Sequence, residues 1–221
     1  MGRGRRLLVV GWVLLGVGVL GIVASLLAFR GEFGSATVRS ESMTPTYGPG
    51  DGILFERVGG SEVRRGDVVL ITLPERYGPD PVVKRVIGVG GDRIVCCRGE
   101  RAGQRISVDG RPLVEPYVKD GIANGSHPLE YDVRVPEGRL FLLGDHRLNS
   151  RDSRYFLDDH DGTVPVDAVR GRVTEGRARV APYAVAGLLG LAAVVGLCCA
   201  LAGRGARRSP AQHTVLWPEH L

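Results

Sequence analysis

Two long runs of apolar residues and glycines lie near the ends of the chain. Leu7 to Phe29 is 23 residues without a charge, and Val180 to Gly203 is 24 more. A helix of about 20 residues spans a bilayer, so we predict a transmembrane helix in each run. The first run is longer than the apolar core of a cleavable signal peptide, which indicates an uncleaved anchor. Buried helices of a soluble protein are the weaker alternative, because arginines flank both runs.

The segment between these runs has a different pattern. Short β-branched stretches alternate with Gly, Pro and Asp, which predicts a mainly β domain of short antiparallel strands. Residues 108–113 have the sequence of a hairpin turn, and the polar residues 119–130 are expected to form an exposed loop. The predicted strands are Gly52–Val58, Asp67–Leu73, Val82–Val89, Arg93–Cys97, Arg105–Val108, Tyr131–Val135 and Arg139–Leu143.

The net charge of the tails differs from that of the middle of the chain. Residues 30–179 hold 23 basic and 23 acidic residues, so the net charge of +5 comes from six arginines in the tails against Glu219. Basic tails predict that both termini are cytoplasmic. Arg177 and Arg179 lie just before the second run, on its opposite side, and they reduce the difference in positive charge between the two sides. The middle of the chain has no net charge, so its charge balance does not indicate binding to the phosphate backbone of a nucleic acid. The predicted segments are a cytoplasmic N-terminus 1–6, an anchor 7–29, an extracytoplasmic domain 30–179, a second span 180–203 and a cytoplasmic tail 204–221.

The four cysteines form two adjacent pairs. Cys198 and Cys199 lie within the second apolar run, where they serve as small apolar residues. Cys96 and Cys97 lie in the predicted outer domain, where both a vicinal disulfide and two free or intermolecularly paired thiols are compatible with the sequence. The His and Cys spacings resemble no metal site, so we predict neither a metal nor a cofactor. The sequence does not indicate an oligomeric state.

Two serines follow the first apolar run. In an extended backbone Ser40 and Ser42 point to the same side, because side chains alternate along a strand. Pro45 fixes its own φ and biases Thr44 towards an extended conformation, which stiffens the segment. Two hydroxyls held on one side suit a nucleophile with a neighbouring hydrogen-bond donor. A Ser/Thr-rich loop is the alternative for this stretch taken alone.

A lysine lies inside the β-branched stretch at residues 82–87. Of the 29 basic residues, only Lys84 and Lys119 are lysine. A desolvated lysine can lose its proton near neutral pH, whereas an arginine cannot. A neutral Lys84 could therefore take the proton of a serine hydroxyl. The alternative is that Lys84 extends to solvent from an edge strand.

Residues 144–154 are dense in hydrogen-bonding side chains. Arg and Asp here can pair bidentately and hold a loop rigid, and Ser150 could accept a hydrogen bond from an amine and orient it. Asp145 and His146 suggest a Ser-His-Asp triad. Adjacent residues of an extended chain point to opposite sides, however, so this pair is poorly placed as a relay.

Together these features resemble the bacterial type I signal peptidases, which use a Ser/Lys pair. The resemblance covers the anchor and four blocks of sequence, which occur in the same order as in the family. Any one block could arise by chance, but all four in this order are specific to the family. The second apolar run departs from the simplest members, which have a single anchor. The blocks are Ser-Glu-Ser-Met-Thr-Pro-Thr at 40–46, Arg-Gly-Asp-Val-Val at 65–69, Lys-Arg-Val-Ile-Gly with a following Gly-Asp at 84–92, and Gly-Asp-His-Arg-Leu-Asn-Ser-Arg-Asp-Ser-Arg at 144–154.

The resemblance implies a role for each matching residue. Ser42 would be the nucleophile and Lys84 its general base. Ser40 would donate to the oxyanion, and Ser150 would orient the Lys84 amine. The supporting ion pair would be formed by Asp152 and Arg154.

The resemblance also implies the fold, the substrate and the location. The fold would consist of two antiparallel β-sheet subdomains, flanked here by N- and C-terminal transmembrane helices. The enzyme would lie in the cell membrane, with signal peptides of secreted preproteins and the lipid bilayer as its partners. It would cut after a small residue, with small residues favoured at P1 and P3. The pockets for these small side chains would be lined by Val38, Met43, Val82 and Val83.

Three other interpretations compete with this one. A self-cleaving repressor-type peptidase shares the Ser/Lys chemistry but does not fit two apolar runs. A membrane-anchored, non-catalytic binding or scaffold protein on the same fold would have no need for both Ser42 and Lys84. A hydrolase using His146 or His160 would be expected to carry a Gly-x-Ser-x-Gly elbow, which the sequence lacks.

Overall fold

The computed structural model describes residues 3–97, 105–125, 130–174 and 181–208. It divides into two compact units, one formed by residues 1–30 with 177–221 and the other by residues 31–176. The helices and strands in chain order are α1 (Arg3–Glu32), β1 (Phe33–Thr37), β2 (Gly52–Glu56), β3 (Val68–Ile71), α2 (Pro74–Tyr77), β4 (Val82–Val89), β5 (Arg93–Cys96), β6 (Ser107–Val108), β7 (Arg111–Pro112), β8 (Tyr131–Arg134), β9 (Arg139–Leu143), β10 (Val164–Pro165), β11 (Val169–Val173) and α3 (Ala181–Arg208).

The first unit contains the two long helices. Both α1 and α3 are long and apolar enough to cross a membrane, by length and composition. They approach each other at small residues. A Cβ added to Gly196 would lie 2.6 Å from the backbone N of Leu15 and 2.8 Å from the carbonyl O of Gly11, and one added to Gly11 would lie 2.5 Å from the backbone N of Ala200. Small residues at such contacts let two helix backbones pack closely.

The second unit contains two antiparallel sheets, which confirms the predicted mainly β fold. The larger sheet has seven strands in the order β1-β2-β11-β3-β4-β9-β10, and the smaller has four in the order β7-β6-β5-β8. Strands β4 and β9 have the predicted bounds, whereas β1, β10 and β11 lie outside the predicted strands. The predicted hairpin turn joins β6 to β7, with positive φ at Asp109 and Gly110, as a two-residue hairpin loop requires.

Apolar clusters cover both faces of the larger sheet. Val69 and Ile71 of β3 belong to one cluster, while Val68 and Leu70 belong to another. Since side chains alternate along a strand, these two clusters lie on opposite faces. A third cluster packs the smaller sheet and contains Cys96 and Cys97. The structure joins these two cysteines in a disulfide, which is one of the two states that the sequence left open.

The register of the central strands brings distant parts of the sequence together. Lys84 of β4 lies opposite Val69 of β3, and Arg85 lies opposite Leu143, the last residue of β9. The chain therefore leaves β9 beside Lys84, and the residues that follow Leu143 begin there. This pairing places the polar block 144–154 next to the predicted general base.

Part of the predicted exposed loop is buried. Residues 126–129 lie outside the described residues, but Ala123 and Asn124 are buried. Their backbone carbonyls accept hydrogen bonds from Arg147 and Arg154, respectively. The expectation of exposure was wrong for these two positions, because their backbone partners come from a distant segment that local polarity does not report.

The close approach of α1 and α3 can be tested at Gly196. Gly196→Leu should destabilise the helical unit by about 1–3 kcal/mol, the usual cost of overpacking, because the new side chain would meet the backbone of α1. Thermal unfolding in detergent, followed by circular dichroism, measures the effect. Gly187→Leu is the matched control, since a Cβ at Gly187 would meet nothing within 4 Å. Equal effects of the two substitutions would contradict the helix contact.

Candidate active site

Ser42 lies in a single 3-10 turn, Glu41–Met43, between β1 and β2. The turn closes through a hydrogen bond from the Thr44 N–H to the Glu41 carbonyl, 3.0 Å long. The extended backbone predicted for this segment is therefore wrong at Glu41–Met43, although Ser40 before it is extended. The two serine hydroxyls nevertheless lie 3.1 Å apart, so they share one site as predicted.

Lys84 reaches the serine from β4. Its Nζ lies 2.9 Å from the Ser42 Oγ, and the two residues are 3% and 7% exposed, respectively. Burial lowers the pKa of Lys84 to about 8, with the positive charge of Arg154 contributing in the same direction and the carboxylates of Asp152 and Asp145 opposing it. Desolvation disfavours the charged amine, so a larger fraction of this lysine is neutral near physiological pH than of an exposed lysine.

Asp152 and Arg154 form a buried bidentate ion pair. The Asp152 Oδ1 accepts from Arg154 Nε at 2.8 Å, and Oδ2 accepts from Nη2 at 2.8 Å. Burial alone would raise the pKa of Asp152, but Arg154, Lys84 and the Gly144 N–H hold it below its usual range. The carboxylate therefore stays ionised, and it fixes the start of the 144–154 block through the Gly144 N–H at 3.1 Å.

Gly144 occupies a position where a side chain does not fit. An added Cβ would collide with the Ser42 carbonyl and with the Ser150 hydroxyl. The Ser42 carbonyl also accepts a hydrogen bond from the His146 N–H at 3.0 Å. The backbone of the 144–154 block thus packs directly against the backbone of Ser42.

Ser150 is buried in the same place, against Gly144. Its Oγ has no hydrogen-bond partner among the residues that the structure describes. The hydrogen bond that would orient the Lys84 amine is not formed in this structure. The role of Ser150 therefore stays a prediction.

A second buried ion pair adjoins the first. The Arg85 guanidinium donates to Asp145 through Nε at 2.8 Å and Nη2 at 2.7 Å, and Thr46 also donates to this carboxylate. The guanidinium carbon lies 3.9 Å above the centre of the Tyr117 ring. Sequence reasoning considered Asp145 only as a partner of His146 and assigned no role to Arg85. The signal available was an arginine next to Lys84 inside an apolar strand.

Residues 115–124 contact the polar block 144–154 and help to hold it in place. Glu115 pairs with Arg147 at 2.5 Å, and both side chains are buried. Arg147 also donates from Nε to the Gly144 carbonyl at 3.0 Å. Sequence reasoning did not identify this support, because Glu115 and Arg147 are 32 residues apart and no local pattern links them.

A cleft of about 330 Å³ opens beside the two serines. Its apolar lining comes from the end of β1 and the residue that follows it, from the turn that carries Ser42, from Leu70 of β3 and from the first residues of β4. Each of the four residues expected to form the substrate pockets lines it, and three of them are buried. The residues that line it include Val38, Arg39, Ser40, Ser42, Met43, Asp80, Val82 and Val83.

His146 and His160, the histidines in the described part of the chain, are not arranged as a relay. The Asp145 carboxylate pairs with Arg85, and His146 Nδ1 is buried without a hydrogen-bond partner in the described part of the chain. His160 bonds to its neighbour Asp159 at the surface. Across the described ranges, no group of three His, Cys, Asp or Glu residues lies close enough to hold a metal ion.

Comparison with known proteins identifies the family. The model of the family described as signal peptidase, peptidase S26, matches residues 9–175. The chain belongs to this family. Membership makes it a protease, as the Ser42–Lys84 geometry leads one to expect, and it confirms the resemblance drawn from the four sequence blocks.

Bacterial signal peptidases are among the proteins that this chain resembles. Signal peptidase I of Bacillus caldolyticus is 32% identical over 164 residues, which cover 69% of this chain and 82% of that protein. A probable signal peptidase I of Mycobacterium leprae (strain TN) is 32% identical over 157 residues, covering 56% of this chain and 53% of that protein. A crystal structure of a signal peptidase I from Enterococcus faecalis V583 is 26% identical, with a TM-score of 0.38, and covers 51% of this chain and 97% of its own.

The buried ion pair at Asp152 can be tested by stability. Asp152→Asn should lower the free energy of unfolding by about 3–5 kcal/mol, because it leaves the Arg154 charge buried without a counter-ion. Urea unfolding measures this change. The control is Asp132→Asn, which removes a carboxylate from the exposed Arg93–Asp132 pair and should have little effect. A small effect of Asp152→Asn as well would mean that the buried Asp152–Arg154 ion pair does not stabilise the fold.

Proposed function

We propose that this chain is a membrane-bound serine endopeptidase that removes signal peptides from secreted preproteins. Ser42 is the nucleophile and a neutral Lys84 is its general base. The observation that carries this proposal is the 2.9 Å distance between the Lys84 Nζ and the Ser42 Oγ in a buried position. A non-catalytic scaffold would have no use for a desolvated lysine held against a serine hydroxyl.

The reaction proceeds through an acyl-enzyme. Neutral Lys84 takes the Ser42 proton as Oγ attacks the scissile carbonyl carbon. The Ser42 N–H and the Ser40 hydroxyl donate to the oxyanion that forms. The Lys84 ammonium then gives its proton to the leaving amine, and the C–N bond breaks. The same lysine next takes a proton from a water molecule that attacks the ester carbon. It gives this proton to the Ser42 Oγ as the ester C–O bond breaks, which releases the signal peptide and restores Ser42.

The cleft supports a preference for small residues. Val38, Met43 and Val83 are buried side chains in its lining, and β-branched or long side chains there leave little depth for a substrate side chain. An extended peptide places alternate residues on the same side. P1 and P3 would therefore both face this apolar surface, and the peptide would bind along the cleft as an added strand.

Membrane anchorage would bring the enzyme and its substrate together. We place α1 and α3 across the cell membrane, the basic segments 1–6 and 204–221 on the cytoplasmic side and residues 30–179 outside, as the arginine distribution supports. A signal peptide held in the same bilayer would then meet the enzyme at a high effective concentration. Secreted preproteins emerging on the outer face are the substrates that this arrangement fits.

Substitutions of the dyad test the proposal. Lys84→Arg should be as inactive as Lys84→Ala and Ser42→Ala, with a loss of at least about 10²-fold, because arginine keeps the charge but cannot act as a base. The assay is cleavage of a signal-peptide-bearing preprotein in detergent. His146→Ala is the control and should stay near wild-type activity, since alanine keeps the backbone N–H that bonds to Ser42.

Two outcomes would contradict this assignment. Appreciable cleavage by Lys84→Arg would remove Lys84 as the base. Loss of cleavage in His146→Ala with activity retained in Lys84→Ala would indicate a histidine-based hydrolase.

The pH dependence gives a second test. The amine of Lys84 acts as a base only when it is unprotonated, and its pKa is lowered to about 8. Below that value kcat/KM should rise about tenfold per pH unit, and above it the profile should level off. A set of initial rates with a preprotein substrate, at constant ionic strength, measures the profile. A flat profile between pH 6 and about 8 would show that the titrating base is not this lysine.

A further inference from the structure

An exposed ion pair joins the two walls of the cleft. Arg39 follows Val38 in the wall that leads to Ser42, and Asp80 precedes Val82 in the opposite wall. The Arg39 Nη1 lies 2.9 Å from the Asp80 Oδ2, and the two side chains are 77% and 68% exposed. The pair therefore lies at the solvent side of the cleft, above its apolar surface.

The walls do not depend on this pair for their structure. The first wall is held by the Val38 N–H, which donates to the Asp51 carbonyl at 2.9 Å, and by the Gly50 N–H, which donates to the Val38 carbonyl at 2.8 Å. In the second wall Val82 and Val83 pair with β3. Exposed ion pairs add little to stability, so the Arg39–Asp80 bond can open at small cost.

The inference rests on the proposed function, because it concerns how a peptide lies in this cleft. If P1 and P3 of an extended peptide face the apolar surface, the side chain at P2 points the other way, towards the solvent side. Arg39 and Asp80 are the charged residues at that side of the lining. The P2 side chain is then placed between a positive and a negative group, one on each wall.

We propose that Arg39 and Asp80 together determine how the enzyme reads the charge of the P2 residue. Entry of the peptide opens the bond between them. An acidic P2 side chain then pairs with Arg39, and a basic one pairs with Asp80. The two groups make the wild-type enzyme accept both charges, and removal of either group leaves a cleft selective for one of them.

The test uses peptides or preproteins that differ only at P2, as Glu, Gln or Arg, and measures kcat and KM separately. Arg39→Ala should lower the ratio of kcat/KM for P2 Glu over P2 Arg by about two- to fivefold, the range of an exposed charge pair. Asp80→Ala should raise the same ratio by a similar factor. Both shifts should appear mainly in KM and shrink at high salt, which screens exposed charges.

Matched controls come from the smaller sheet. Arg93 and Asp132 form another exposed pair, with side chains 59% and 50% exposed, and neither residue lines the cleft. Arg93→Ala and Asp132→Ala should leave the P2 ratio unchanged. A merely structural role for Arg39 and Asp80 would move both variants in the same direction, whereas charge reading moves them in opposite directions.

The outcomes separate this inference from the proposed function. Normal cleavage with the same P2 ratio in wild type, Arg39→Ala and Asp80→Ala would overturn the charge reading and leave the peptidase assignment intact. A shift of equal size in the Arg93→Ala control would overturn it as well. Absence of cleavage of every substrate by the wild type would overturn the proposed function, and this inference with it.

Discussion

Burial of the Lys84 amine beside the Ser42 hydroxyl is the constraint on which the rest of the site depends. Removing an ammonium from water favours its neutral form, and a dedicated carboxylate would cancel that effect. Each buried carboxylate nearby is already taken by an arginine, and Lys84 forms no ion pair with the residues that the structure describes. The pairs are Arg154 with Asp152, Arg85 with Asp145, and Arg147 with Glu115.

The same constraint explains the position of the polar block. Strands β4 and β9 pair so that the chain leaves β9 next to Lys84, and Gly144 then allows the following backbone to contact the Ser42 carbonyl. The ion pairs keep this backbone in place without offering Lys84 a partner of its own. A buried arginine thus has two effects here: it neutralises a carboxylate, and it disfavours a positive charge on the lysine.

The residue types in the sequence indicated the candidate site residues better than they indicated the local backbone conformation. Strands β4 and β9 follow from continuous apolar and β-branched runs. Ser42 and Lys84 were singled out by the chemistry of a hydroxyl and a desolvated amine, and their roles were implied by the resemblance to the signal peptidases. The 3-10 turn at Glu41–Met43 could not be predicted, because contacts with the distant 144–154 block stabilise it. Arg85 and Asp145, separated by 60 residues, were missed for the same reason: bidentate pairing is a property of the folded chain. Strand β11 was missed because Arg and Gly interrupt its valines.

The glycine contacts between α1 and α3 give the two faces of α3 different meanings. On one face, Ala193, Gly196 and Ala200 match particular residues of α1, and their size is set by a specific partner. On the other, a side chain at Gly187 or Gly190 would meet nothing within 4 Å, so only compatibility with a surrounding medium is required. The second apolar run therefore encodes recognition of the first helix as well as hydrophobicity, and a generic apolar segment of equal length would not be equivalent to it.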